Sequence, residues 1–239
     1  VYREKSRRAN SVQKKAEGLA GSLSFTQADI TTQEGLDAIS ESVGDRELDV
    51  LILNASGPTR DVNVTAAQNL INMAIPRMKQ GGTILLMQSV PGHFAGQLGN
   101  SDIQAEFYRP IADAKRDGEI ALRKRIDELD ELGIKVLVAC PPVVADTSNM
   151  RIFKGIDKEA ASKHDLISDA LGLPREVSRE DVAKKVVEML ENSGELPTGY
   201  TEFFNNTRDA RSLLSKWYDE ERIYVDTARR FVDTDSERA

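Results

Sequence analysis

Cysteine is nearly absent from the 239 residues: Cys140 stands alone, so no disulfide forms within the chain and no multi-cysteine zinc cluster can be built. Histidine is almost as rare, and His93 and His164 lie too far apart to show a metal-ligand spacing. A structural metal is therefore not expected. Long apolar runs are also lacking. Stretches such as Val136 to Cys140 fall far short of the ~20 residues of a membrane helix, and no charged-then-apolar leader is recognised. Positive charge is outnumbered, with 32 Lys and Arg against 39 Asp and Glu. The net charge of −7 disfavours attraction to phosphate backbones or anionic lipid. The expectation is a cytoplasmic protein without nucleic-acid or membrane partners.

What is present suits a folded α/β protein. Hydrophobic residues make up 40% and charged ones 30%, enough for one large domain or two small ones. The opening Val1-Tyr2-Arg3-Glu4-Lys5 reads as the end of a strand entering a helix, with more chain expected upstream. Leu23 to Ile30 reads as a strand, and Leu36, Ile39 and Val43 then repeat at helical spacing across Gln33 to Val43. Leu48 to Asn54 is almost continuously apolar, as in a strand buried on both faces of a parallel sheet. The pattern continues with a helix from Asn63 to Met78, a strand from Thr83 to Gln88, a helix from Pro110 to Leu132 and a strand from Ile134 to Cys140. Ser178 and Asp181 are spaced as a capping pair for a helix over 178–193, and Thr201 to Phe204 reads as a last strand. Residues 148–177 are predicted to form a lid, and 205–239 a charged helical tail.

Strands alternating with helices imply a parallel sheet covered on both faces, with ligands at the strands' carboxyl ends. Asp29, Asn54, Ser89 and Pro141 all follow predicted strands. Their order resembles the short-chain dehydrogenase/reductase family, a Rossmann-like, doubly wound group of nicotinamide enzymes, over most of residues 1–204. Asp29 is placed like the family's adenine-contacting Asp, and Leu53-Asn54-Ala55-Ser56 resembles its Asn-Asn-Ala-Gly turn, with Ser56 replacing the glycine. Asn63 lies thirteen residues before Pro76, like the family's structural and catalytic Asn, and Ser89 closes a strand like the catalytic Ser. Lys115 precedes Gly133 by 18 residues, the family's spacing from its catalytic Lys, and Thr147 is placed like a carboxamide-contacting Thr. Pro141-Pro142 stands for the family's Pro-Gly.

The resemblance implies an NADP-dependent oxidoreductase acting on a carbonyl or alcohol, of 3-oxoacyl type among the options, in a homo-oligomer packed through the Pro110 to Leu132 helix at Gly118. Arg3 is placed like the residue that receives the 2′-phosphate of NADP, which makes NAD the less favoured cofactor. Ser89 would bind the oxyanion, Asn63 would hold a relay water, and Lys115 would lower the phenol's pKa and hold the ribose. The phenol itself is displaced, because its usual position is Ile111. Tyr108 is the substitute: outside the helix begun by Pro110 it would fold back toward Lys115, and otherwise it is an aromatic packed over the helix start. His93 is read as a loop residue near the cleft. Neither Gly18, Gly21 nor Gly44 has the context of a phosphate-binding glycine turn, so the first strand and that turn are expected to be missing. A catalytically inactive binding or scaffold relative is the alternative reading.

Overall fold

The structure, a computed structural model, describes residues 1, 6–95, 108–145, 147, 165, 168–169 and 172–204, with 6–8 as backbone only. Helix α1 spans Ser6–Ala16 and α2 spans Gln33–Val43. The ends of α2 fall where its residues direct them. Thr32 caps it by accepting the Gly35 N–H at 3.1 Å, and Gly44 ends it at φ 61. Gly35 has to be glycine, since a Cβ there would lie 1.8 Å from the Asp29 carbonyl oxygen.

Strand β1, Leu48–Leu53, runs parallel to β2, Met78–Met87. Between them the chain makes a π-helical turn over Asp61–Ala66, then α3, Ala67–Ala74, then a 3-10 turn over Ile75–Arg77. The predicted helix from Asn63 to Met78 is thus three helical pieces, and Pro76, which cannot donate to a preceding turn, lies in the last of them. The strand begins at Met78 rather than Thr83: its register slips between Leu48↔Met78 and Val50↔Thr83, and Gly81 takes φ 78 inside the slack.

Helix α4 covers Val90–His93, α5 Arg109–Arg123 and α6 Ile126–Glu131. The helix expected from Pro110 to Leu132 therefore breaks. Arg125 leaves helical geometry (φ −101, ψ 3), its guanidinium grips Glu128, Asn72 and Gln68, and Ile126 and Leu129 beyond the break are buried. Strand β3, Lys135–Ala139, pairs with β2, and β6, Tyr200–Glu202, pairs with β3. Both are shorter than expected. Two-residue strands β4, Val143–Val144, and β5, Glu176–Val177, form a small separate parallel pair, and α7 spans Arg179–Glu191.

The main sheet has the order β1-β2-β3-β6, all parallel. One face packs Ile71 of α3, Leu122 of α5, and Ile126 and Leu129 of α6 on Leu53, Ile84 and Val136. The other packs Met189, Val182, Val186 and Leu190 of α7 on Leu85, Leu137 and Ala139. This is the expected layered α/β architecture with helices on both faces. Two strand predictions fail. Leu23 to Ile30 shows a bridge at Gln27 and no longer strand, and among the described residues β1 lies at the edge of the sheet, with Val50 and Ile52 37% and 45% exposed instead of covered on both faces. Asp29 ends the extended run by accepting the Thr31 amide and hydroxyl, which turns the chain toward α2. Most of the proposed lid at 148–177 and all of the 205–239 tail lie outside the described residues.

Candidate active site

The carboxyl ends of β1, β2 and β3 open onto a cavity of about 570 Å3. Of the residues singled out in the sequence, Asn54, Ser56, Ser89, Tyr108, Lys115, Pro141 and Thr147 line it. Each is held by local structure. Ser89 leaves β2 with extended backbone (φ −144) and caps α4, its Oγ accepting the Gly92 N–H at 3.3 Å. Tyr108 occupies the N-cap position of α5 with helical backbone (φ −89, ψ −18) and Pro110 in the first turn, which corrects the expectation that it would stand outside the helix. There its hydroxyl reaches 3.2 Å from Ser89 Oγ. Lys115, further along α5, donates from Nζ to the Met87 carbonyl at 3.3 Å and to Ser56 Oγ at 3.5 Å. Thr147 Oγ1 donates to the Val144 carbonyl at 3.1 Å.

Other expected site residues lie behind or away from the wall. Asn63 is buried, and its Nδ2 donates to the carbonyls of Gly57 at 2.7 Å and Thr59 at 2.8 Å, tying down the loop that carries Asn54 and Ser56. Asp29 Oδ1 accepts from the Thr31 amide at 3.0 Å and hydroxyl at 2.7 Å, the bonding of a turn before α2. Neither Asp29 nor Ala55 is among the cavity's lining residues, and Arg3 lies outside the described residues. Gly118, expected at a subunit contact, instead lets α5 lie against the chain's own Asn63: a Cβ would come within 2.2 Å of the Asn63 carbonyl oxygen.

Burial sets the ionisation of the two central groups. It lowers the Lys115 ammonium to about 8, and it raises the Tyr108 phenol above its usual value despite the Ser89 hydrogen bond. The expectation that Lys115 would draw the phenol's pKa down is corrected here, because desolvation of the phenolate dominates. Tyr108 is a neutral hydrogen-bond donor at ordinary pH.

His93 is not a cleft residue. It lies buried in α4, with Nδ1 2.9 Å from both Glu119 oxygens. Arg123 Nε donates to Glu119 Oε1 at 2.8 Å, and Gln88 Nε2 donates to Glu119 Oε2 at 2.9 Å. Burial by itself would raise Glu119, but the adjoining His93 and Arg123 charges outweigh it and hold the carboxylate well below the usual range. Sequence reading missed this cluster. Its only trace is Lys115, Glu119 and Arg123 at four-residue steps along one helix face, a pattern more often seen on solvated helices. Arg179, at the start of α7, also lines the cavity and was not anticipated.

No family model and no curated protein matches this sequence. Solved structures do. The angucycline C-6 ketoreductase LanV with bound NADP is 18% identical, with a TM-score of 0.63 over 85% of this chain and 82% of its own. The promiscuous reductase LugOII, which catalyses keto-reduction at C1 during lugdunomycin biosynthesis, is 16% identical, with a TM-score of 0.66 over 85% and 84%. The 3-alpha-hydroxysteroid dehydrogenase from Pseudomonas sp. B-0831, complexed with NADH, is 19% identical, with a TM-score of 0.60 over 77% and 83%. The parallel sheet, its helical layers and the cavity at the strand ends together make this the fold of the short-chain dehydrogenases/reductases.

Proposed function

We propose that the protein is a nicotinamide-dependent oxidoreductase that reduces a carbonyl group, with NADP preferred. The observation that carries the reading is the 3.2 Å approach of the Tyr108 hydroxyl to Ser89 Oγ on a wall that Lys115 shares, which restores a Ser–Tyr–Lys grouping although Ile111 holds the usual place of the phenol. Similarity to structures that hold NADP or NADH supports the cofactor class. The preference for NADP rests on Arg3 in the sequence.

The cavity fits one end of such a cofactor. Asn54, Lys115 and Thr147 offer side-chain partners for a ribose and a carboxamide, whereas among the described residues the only glycine on the wall is Gly57, with no glycine-rich turn for the diphosphate. When bound, the nicotinamide supplies the hydride. The protein supplies the rest. Tyr108, kept protonated by burial, gives its phenolic proton to the oxygen that gains charge, and Ser89 Oγ hydrogen-bonds the same oxygen. An ammonium has three donors; Lys115 directs two at Met87 O and Ser56 Oγ, which leaves one for a ribose hydroxyl. The apolar side chains of Ile111, Val143, Val144 and Val182 keep that side of the cavity dry and suit an aliphatic or ring ketone.

Fluorescence titration with NADPH tests the cofactor and turnover of a ketone panel tests the chemistry. Saturable binding is expected, and Tyr108→Phe should lower kcat by about 10²–10⁴-fold while leaving NADPH affinity unchanged. Absence of NADPH binding overturns the proposal. Binding without turnover of any ketone favours the silent scaffold reading, which Ile111 supports. Homo-oligomerisation and a cytoplasmic location belong to the same proposal, the former checked by light scattering.

A further inference from the structure

The buried ionic cluster is joined to the catalytic wall by one side chain. Gln88, 4% exposed, uses each end of its amide on a different element. Its Oε1 accepts the Ser89 N–H at 3.0 Å, and its Nε2 donates both to the Lys115 carbonyl at 3.0 Å and to Glu119 Oε2 at 2.9 Å. Its own backbone N–H donates to the Ala139 carbonyl at 2.8 Å, so β2 and β3 fix where it starts. Glu119 in turn is fixed by His93 of α4 and by Arg123, whose Nη1 and Nη2 reach the Gly199 carbonyl at 3.0 Å and Thr201 Oγ1 at 2.5 Å. Gly92 lets α4 lie against this bridge, since a Cβ there would sit 2.5 Å from Gln88 Oε1.

We propose that Gln88 is a positioning residue that sets Ser89 against Lys115 by bridging both to the buried Glu119 carboxylate. The argument is one of geometry. Ser89 ends a strand and Lys115 lies on a helix, and strand ends and helices shift against each other unless something spans them. Gln88 spans them with directional bonds from a side chain that has no solvent to turn toward. Its Nε2 is also pinned by a full negative charge, and charge-assisted hydrogen bonds are about twice as strong as neutral ones. A leucine or methionine would fill the same space but remove this link, leaving the Lys115 Nζ bond to the Met87 carbonyl and the approach of Tyr108 to Ser89 to hold strand end and helix together.

This inference rests on the oxidoreductase reading for its consequence in catalysis but not for its test. The full chain and its Gln88→Met variant are compared by NMR, with the Lys115 amine followed through a pH titration and the Ser89 amide through hydrogen exchange. Lys135→Met serves as a control for general destabilisation, because Lys135 binds the carbonyls of Ser193, Gly194 and Leu196, away from the cavity. In Gln88→Met, Ser89 exchange should accelerate about tenfold, the effect of losing one hydrogen bond, and the Lys115 titration should move up toward an ordinary lysine as the amine gains water. Lys135→Met should lower the melting temperature and move neither. Equal responses in the two variants, or none in Gln88→Met, overturn the proposal. If Gln88→Met does not fold, Gln88→Asn, which keeps the amide but is one methylene short of spanning Ser89 and Glu119, is expected to produce both changes, and their absence there is equally decisive. Where the wild type turns over a ketone, kcat should fall and the KM for NADPH should rise, because the displaced Lys115 also holds the ribose. A wild type that binds no NADPH refutes the oxidoreductase reading while both NMR measurements still judge Gln88.

Discussion

Gly118→Ala places two effects of opposite sign in competition. In the middle of a helix the change is favourable by about 1 kcal/mol, from helix propensity alone. Against it stands the contact with the π-helical turn. The new Cβ would lie 2.2 Å from the Asn63 carbonyl oxygen and 3.0 Å from its carbonyl carbon, both backbone atoms that cannot rotate away. A carbon–oxygen contact settles near ~3.3 Å, so α5 and the turn must part by about 1 Å. Overpacking of this kind costs about 1–3 kcal/mol, and with backbone on the receiving side the upper end applies, leaving a net loss of about 2 kcal/mol. For a chain of this size that corresponds to a fall in melting temperature of about 4–8 °C, read by calorimetry. The strain also reaches the cavity, because Asn63 holds Gly57 and Thr59 beside Ser56. A variant that melts at or above the wild-type temperature would refute the close approach of α5 to Asn63.

Two further outcomes follow from the same coordinates. Because Lys115 has a folded value of about 8, below its ordinary 10.5, the fold bears a desolvated ammonium below pH 8, and the unfolded chain holds more protons between those values. Wild-type stability should therefore rise relative to Lys115→Met between pH 8 and 10.5. Tyr108 and Cys140, both kept protonated by burial, push stability down with rising pH but do so in both proteins, so the difference isolates the lysine. Urea titrations at several pH values measure it, and a constant difference contradicts the burial of Lys115. Ser178→Ala removes a capping box in which Ser178 Oγ accepts the Asp181 N–H at 3.0 Å and Asp181 Oδ2 accepts the Ser178 N–H at 3.2 Å. A loss of about 1 kcal/mol in chemical denaturation is expected, and no loss would mean that α7 does not depend on its cap.

The parts of this fold that were legible in the sequence are those settled by neighbours along the chain. Helix α2 starts and stops where Thr32 and Gly44 say it should, and Ser178 announces α7. Tyr108 was expected outside the helix on the strength of Pro110, but its backbone is helical, and the approach of its hydroxyl to Ser89 depends on a strand end 19 residues earlier. What was illegible depends on partners distant in sequence. The apolar content of β1 gives no sign of its place at the edge among the described strands, and the residues after Leu23 look like a strand although Asp29 turns them toward α2. His93 was misplaced because its partner Glu119 is 26 residues away, and a buried hydrogen bond between distant residues leaves no local trace in composition. The pKa of Tyr108 was misjudged in sign for a related reason. A nearby lysine can be inferred from spacing, whereas the water excluded around a phenol cannot.

Strand β6 is three residues long and, among the described residues, pairs with β3 on one side only, the sort of element that ordinarily frays. Here its detachment would strip acceptors from two cations at once. Arg123 would lose Gly199 and Thr201, and Lys135 would lose the carbonyls of the turn that leads into the strand. Arg123 is a buried guanidinium beside Glu119, and taking acceptors away from it is costly. The strand is thereby latched to the interior by charge as well as by its ladder bonds to β3.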